Sequence, residues 1–317
     1  MFRRACIIGF GLIGSSLARA FKKHDLVETI VCADLSEDVC KTSLRLGISD
    51  VATTDLAAAV KDCDLVIVAV PVGAFESVGK QISGHLMPGA IVTDVGSVKQ
   101  AVVENLGPLL PAHVHFIPSH PIAGTEHSGP ESGFAELFEG RWFLMTPLPG
   151  SDVAAIEKLG DLWRKVGSKV DTMAPHHHDL TLAITSHLPH LIAYTIVGTA
   201  SDLGEDLRGE VIRYSASGFR DFTRIASSDP VMWRDIFLSN REAVLEILQR
   251  FTEDLTDLQK AIRRGDGEKL FDHFTKTRAI RRQVIEAGQA ANPHPSTSNV
   301  EETPPGPVPE KNLRAGT

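Results

Sequence analysis

Apolar positions fall into two regimes along the 317-residue chain. In the first half they come as short, nearly unbroken runs: Ala5 to Gly9, Thr29 to Ala33, Asp64 to Val70, Ala90 to Asp94 and His115 to Pro118. Runs without polar alternation predict strands buried on both faces of a parallel sheet. The spacers between them are long enough for helices, so the pattern predicts an α/β unit. Arg141 to Thr146 and Lys169 to Met173 predict two more strands. From about Pro175 the pattern becomes helical. Asp179 to Thr199 is largely apolar, with Pro189 predicting a kink or break because it removes a helical hydrogen bond. Ser228-Asp229-Pro230 combines an N-cap with proline at the first helical position. The helix it opens carries Ile236, Ile247, Phe251, Leu255, Leu258 and Ile262 and stops at Gly265-Asp266-Gly267, and a last helix follows to about Glu286. The end of the chain is rich in Pro, Ser, Thr and Asn, a composition that buries little. The expected organisation is a dinucleotide-binding domain over 1–174, a helical substrate and dimerisation domain over 175–288, and a disordered tail over 289–317.

The first strand runs into Gly9-Phe10-Gly11-Leu12-Ile13-Gly14, and the second ends at Asp34, 20 positions after the last glycine. A lone glycine pattern is weak, but strand, turn, helix and a later acidic residue together make a dinucleotide fingerprint. Gly9 makes the tight turn, Gly11 lets the backbone approach a pyrophosphate, and Gly14 lets helix and strand pack closely. The helix opening at Leu12 and Ile13 aims free N–H groups at the phosphates. Asp34 would accept hydrogen bonds from the adenosine ribose and repel a 2′-phosphate. The residues after it, Leu35-Ser36-Glu37-Asp38, include no basic side chain, so NAD is expected over NADP.

Composition narrows the function classes. The net charge of -8 argues against a nucleic-acid or anionic-membrane surface. The four cysteines, Cys6, Cys32, Cys40 and Cys63, show no C-x-x-C spacing and read as small core hydrophobes in a reducing cytosol. Arg3-Arg4 before an apolar run resembles an export signal, but cleavage there would remove the nucleotide turn, so a cytoplasmic protein is expected. No uninterrupted run of about 18 apolar residues occurs, so no membrane span is expected.

Candidate chemistry lies after the later strands. His120-Pro121 follows an apolar run, and proline disfavours helix at the residue before it. The imidazole is therefore expected on an extended corner past a strand's C-terminal end, where open α/β sheets keep ligands. Ser97 occupies the matching position after Ala90 to Asp94. Ser97-Val98-Lys99-Gln100 also has the form of a capping box, a structural job that could explain the serine alone. His187 and His190 are one helical turn apart, and no third ligand joins them, so no metal is expected. His176-His177-His178 reads as a solvated loop.

Taken together, the motifs resemble the prephenate and arogenate (cyclohexadienyl) dehydrogenases. The match rests on G-F-G-L-I-G-S-S from Gly9, V-A-V-P-V from Val68, D-V-G-S-V-K from Asp94 and H-P-I-A-G-T-E-H-S-G from His120. It continues in S-H-L-P-H from Ser186 and D-F-T-R-I-A-S-S-D-P-x-M-W from Asp221, covering about residues 1 to 287. The resemblance implies NAD-dependent oxidative decarboxylation of a cyclohexadiene that bears a ring hydroxyl and a ring carboxylate. It implies His120 as the group that polarises the hydroxyl, with Ser97 beside it, and Arg224 as the partner of a substrate carboxylate. His190 and Trp233 would line the pocket, Val70 and Pro71 would flank the cofactor, and Glu126 and Asp221 would form a gating network with His178 and Asp179. A homodimer through the helical domain is implied as well. Two other readings stand beside this one: a two-domain dehydrogenase of the β-hydroxyacid type, which would use a lysine in its helical half, and an NAD-binding sensor without turnover.

Overall fold

The computed structural model describes residues 1–125, 127–202, 213 and 216–284. The expected tail, 289–317, and Glu126 lie outside the described residues. Two compact units are distinguished, Met1–Thr252 and Glu253–Thr317, so the helices between Pro175 and Ser239 belong to the same unit as the sheet.

Six parallel strands form the main sheet: β1 (Phe2–Ile8), β2 (Val27–Ala33), β3 (Val51–Thr53), β4 (Leu65–Val68), β5 (Ile91–Asp94) and β6 (His115–Ile117). Their order is β3-β2-β1-β4-β5-β6, the doubly wound order of dinucleotide-binding folds. The strand residues alternate between two cores. Ala5, Ile7, Ile30, Cys32, Leu65 and Ile67 pack into one, and Cys6, Ile8, Val31, Ala33, Val66 and Val68 pack into the other. Both faces are thus covered, which is why the strands carry no polar alternation. Strand β3 gives no signal in the hydrophobic pattern, because it is three residues long and sits at the sheet edge with Val51 exposed.

The two later strand segments form a sheet of their own. Strands β7 (Ser119–Pro121), β8 (Trp142–Met145) and β9 (Lys169–Thr172) make it, with β7 antiparallel to β8 and β9 parallel to it. Helix Val153–Lys165 covers this sheet through Trp163, which stacks on Phe143 at 3.8 Å between ring centroids.

The kink expected at Pro189 takes the form of a π-helical turn, Ala183–His187, between the helices Pro175–Leu182 and Leu188–Ser201. The wider turn accommodates a proline that cannot donate into the helix. The stretch Pro175–Ser201 is long and apolar enough to cross a membrane by length and composition, with mean hydropathy 1.4. Interleaved threonine, serine and histidine hide this from a search for unbroken apolar runs. Its Asp179 and His187 are hydrogen-bonded to Asn240, which ties the stretch into the fold. The helix from Pro230 is capped as expected, with Asp229 accepting from the Met232 amide at 2.8 Å. It ends at Ser239, and a separate helix, Arg241–Arg264, continues after Asn240. The expected single apolar stripe therefore belongs to two helices.

Candidate active site

Gly9 has φ +90°, a region costly for a residue with a Cβ. A Cβ there would lie 2.5 Å from the Ala69 carbonyl oxygen. At Gly14 a Cβ would run into the Gly9 carbonyl oxygen, well inside any real Cβ approach. Gly11 differs: a Cβ would meet nothing within 4 Å. The turn is therefore tight below and open above, as a cradle for a pyrophosphate must be. Gly11 caps the helix Leu12–Lys23 with no side-chain bond of its own, which leaves N–H groups for a ligand. Asp34 sits half-buried after β2 and accepts from the Phe10 amide at 2.9 Å and the Ser36 amide at 3.0 Å. It is thereby fixed beside the turn. Val70 borders the same turn, since its Cγ1 would lie 3.0 Å from a Cβ at Gly9, and Pro71 begins the next helical turn. These residues fit an NAD molecule.

Four strand ends share this edge of the sheet. The glycine turn follows β1, Val70-Pro71 follows β4, Ser97 follows β5 and His120 follows β6. His120 is 9% exposed and extended, as the proline after it requires. Its Nδ1 lies 2.9 Å from His178 Nε2, and His178 Nδ1 lies 2.8 Å from Asp179 Oδ1. Burial, chiefly, holds the His120 pKa well below the usual histidine range, helped by the nearby His178, Lys99 and His187. Burial likewise lowers His178, opposed by its bond to Asp179.

The capping box at Ser97 does not form. Ser97 is half-buried in the loop after β5, and the helix Gln100–Leu106 is capped from 80 residues away. The Asp179 carboxylate accepts from the Lys99 amide at 2.7 Å and from the Gln100 amide at 2.8 Å. A carboxylate serves two amides at once, and it complements the positive helix end as a serine cannot. Lys99 itself is fully buried, paired with Asp94 and donating to the Ser119 carbonyl at 2.7 Å. Burial pushes Asp94 up and Lys99 down. Asp94 also accepts from the Gly96 and Ser119 amides, and these bonds offset part of the cost of burying its charge. The pair pins the segment before His120 to the end of β5.

A second group surrounds Trp233. His190 is half-buried and stacks on the Trp233 ring at 3.7 Å. Its Nδ1 donates to the Ser186 carbonyl at 2.8 Å, which leaves Nε2 as an acceptor. Burial lowers the His190 pKa, and the Arg224 cation adds to that, so Arg224 acts on this pocket although it is exposed. His187 joins the two groups. Its charge would act on both His120 and His190, and burial pulls its pKa down to about 4. Asn240 Nδ2 donates to His187 Nδ1 at 3.0 Å, so His187 Nε2 carries the hydrogen. That hydrogen and the Trp233 indole N–H are buried donors without an acceptor among the described residues.

The structure thus brings His120, His178, Asp179 and Lys99 together, and beside them His187, His190 and Trp233. The expected network of His178 and Asp179 with Asp221 is not formed. Asp221 is exposed on the helix Ser217–Thr223, whereas His178 and Asp179 are buried behind His120. Nor is His176-His177-His178 a solvated loop. It opens the helix Pro175–Leu182, and only His176 and His177 face outward. Sequence reasoning missed Lys99 and Asn240 as well. The one available signal was Asp94 and Lys99 bracketing a strand end in D-V-G-S-V-K, where two charges on an apolar edge need each other. Among the described residues no group of three histidine, cysteine or acidic side chains could hold a metal.

Residues 17–172 match the family model described as "Prephenate dehydrogenase, nucleotide-binding domain", and residues 174–276 match "Prephenate dehydrogenase, dimerization domain". The cyclohexadienyl dehydrogenase of Zymomonas mobilis is 42% identical, over 89% of this chain and 96% of its own. The crystal structure of prephenate dehydrogenase from A. aeolicus, in complex with hydroxyphenyl propionate and NAD+, superposes with a TM-score of 0.83. It is 34% identical, over 90% of this chain and 99% of its own. The Synechocystis arogenate dehydrogenase superposes with a TM-score of 0.76 at 26% identity, over 88% and 99%.

Proposed function

The chain belongs to the prephenate dehydrogenase family, and we propose that it carries out the NAD-dependent oxidative decarboxylation of prephenate, arogenate or both. The observation that carries this reading is the imidazole of His120, buried on the sheet edge that also bears the glycine turn, with one ring nitrogen held by His178. The other nitrogen is free to act as a base, and burial keeps it neutral at ordinary pH.

NAD, when bound, accepts a hydride from the ring carbon that bears the substrate hydroxyl. His120 takes the hydroxyl proton, so the O–H pair becomes a carbonyl. The ring carboxylate then leaves as carbon dioxide, its bonding pair passes into the ring and onto the carbonyl oxygen, and the proton held by His120 returns to that oxygen to complete the phenol. Aromatisation makes the reaction strongly downhill, so the protein's task is alignment and proton removal. Ser97, at the neighbouring strand end, would bond near the hydroxyl in this reading. Arg224 offers a planar, two-pronged partner for a substrate carboxylate. His190 Nε2 and the Trp233 ring supply an acceptor and a flat apolar wall for the ring. Glu126 and Asp221 complete the substrate-binding set in this reading.

Family membership sets aside the β-hydroxyacid alternative with its lysine in the helical half. The sensor reading is disfavoured by His120 itself, since holding NAD needs no buried base. The assay that tests the proposal measures NADH or NADPH formation with prephenate and with arogenate. Turnover on at least one substrate is expected, faster with NAD because Asp34 would face a 2′-phosphate. Turnover on neither substrate would overturn the proposal, and a preference for NADP would overturn the role of Asp34.

The match to a dimerisation domain supports a homodimer through the helices. Exposed apolar residues on the Pro175–Ser201 stretch, Ile184, Ile196 and Val197, give such an interface apolar surface to bury. Four free, buried cysteines suit a reducing cytoplasm.

A further inference from the structure

His120 does not stand alone. Behind it lie two groups, His178 and Asp179, and the hydrogen positions along this chain can be worked out from its far end. Asp179 is an acceptor toward the Lys99 and Gln100 amides, so it is a carboxylate and accepts from His178 Nδ1 as well. His178 Nδ1 therefore carries a hydrogen. With His178 neutral, its Nε2 has only a lone pair, and the 2.9 Å contact must be donated by His120 Nδ1–H. Neutral His120 then has no hydrogen on Nε2. This chain is fixed at its base: Asp179 caps the helix Gln100–Leu106, and its carbonyl accepts from Asn240 at 2.9 Å. His178 is fully buried, so water does not compete for either of its nitrogens.

We propose that His178 and Asp179 are positioning residues for the reaction. They hold His120 in the tautomer whose Nε2 is bare, and they offset the positive charge that His120 gains when it takes the substrate's hydroxyl proton. The proposal rests on the reading of His120 as the base. In the step itself the substrate O–H bond breaks and an N–H bond forms at His120 Nε2. The electron pair of the O–H bond becomes the new C–O π bond as the hydride leaves for NAD. The His120 Nδ1–H then points a full cationic donor at His178 Nε2, and the Asp179 carboxylate lies one ring further on. A neutral imidazole relaying to a carboxylate stabilises that cation where water is excluded. The role differs from gating: nothing in it requires His178 or Asp179 to move or to touch the substrate.

The test uses the full chain labelled with nitrogen-15 in histidine. In the unmutated protein with NAD bound, the His120 shifts should report a protonated Nδ1 and a bare Nε2. A protonated Nε2, or an even mixture of tautomers, overturns the proposal without any assay of turnover. His178→Leu should lower kcat by about 100-fold, with substrate KM and NAD affinity close to normal, because an orienting partner of a catalytic histidine acts on the chemical step. His178→Gln should recover most of that loss, since its amide oxygen can accept from His120 Nδ1–H. A kcat within about threefold of normal in His178→Leu, or no recovery in His178→Gln, also overturns it. The expected tautomer in a protein that turns over neither substrate would refute the reaction and leave the hydrogen-bond assignment standing. Turnover with the wrong tautomer would do the reverse.

Discussion

The glycine turn and the histidine cluster share one edge of the sheet, but they are assembled over different distances along the chain. The turn is local. Gly9 to Gly14 and Asp34 lie within one strand–helix–strand unit, and the close approaches at Gly9 and Gly14 are to that unit or to the adjoining strand end. The cluster draws on four remote segments: Asp94 and Lys99, Ser119 and His120, His178 to His187, and Asn240. Its anchor is Asp179, which caps a helix 80 residues earlier while bonding to the histidine behind the base. Local assembly leaves a readable motif, whereas remote assembly makes one side chain serve several segments at once.

Four substitutions or conditions can break or sharpen this contrast. The largest effect is expected from His120→Asn, which should cut kcat by about 1,000-fold through loss of the base and leave NAD affinity nearly intact. Parallel titrations of NAD binding and turnover check it. A matching loss of NAD affinity would mean that the two regions are not separable.

Gly14→Ala attacks the local region. The new Cβ meets a backbone oxygen that cannot rotate away, so a loss of about 3 kcal/mol is expected in denaturant unfolding. An unchanged unfolding midpoint would show that helix and strand can move apart.

Acid should unfold the remote region first. His187 is buried and neutral with its pKa near 4, against about 6.5 in the unfolded chain. Above pH about 6.5 neither state takes a proton, and the contribution of His187 to stability is fully present. As pH falls from there to about 4, only the unfolded chain binds the proton, so about 3 kcal/mol is lost at about 1.4 per pH unit. His120 and His178, lowered as well, add to the slope in the same direction. Denaturant curves across this range check the sign, and His187→Gln should flatten them.

The smallest effect is expected at the pocket's edge. Arg224 is exposed, so Arg224→Ala should raise substrate KM by about 10-fold, with kcat changed less, since the contact exists before and during reaction. Arg224→Lys should recover part of it, because an ammonium cannot form the paired bonds. Arg213→Ala and Arg220→Ala are the controls, and a raised KM in either of these alone would move the carboxylate site there.

Much of the molecule was legible in the amino-acid order. Buried strands reveal themselves as apolar runs because both sheet faces are covered, and the glycine turn does so because only glycine tolerates φ +90° or a carbonyl at contact distance. His120 was legible from its proline and its place after a strand. Ser97 was legible as a candidate, but its capping role was misread: the S-x-x-Q spacing is satisfied on paper, while the helix start takes its acceptor from Asp179. The π-helical turn, the second sheet, the buried Lys99–Asp94 pair and the chain from His120 through His178 to Asp179 came only from tertiary structure. The reason is physical. Strand and turn signals depend on sterics and burial repeated over neighbouring residues. A buried polar group instead needs one partner at hydrogen-bond distance, and any residue that the fold brings there will serve, however far away it lies in the chain.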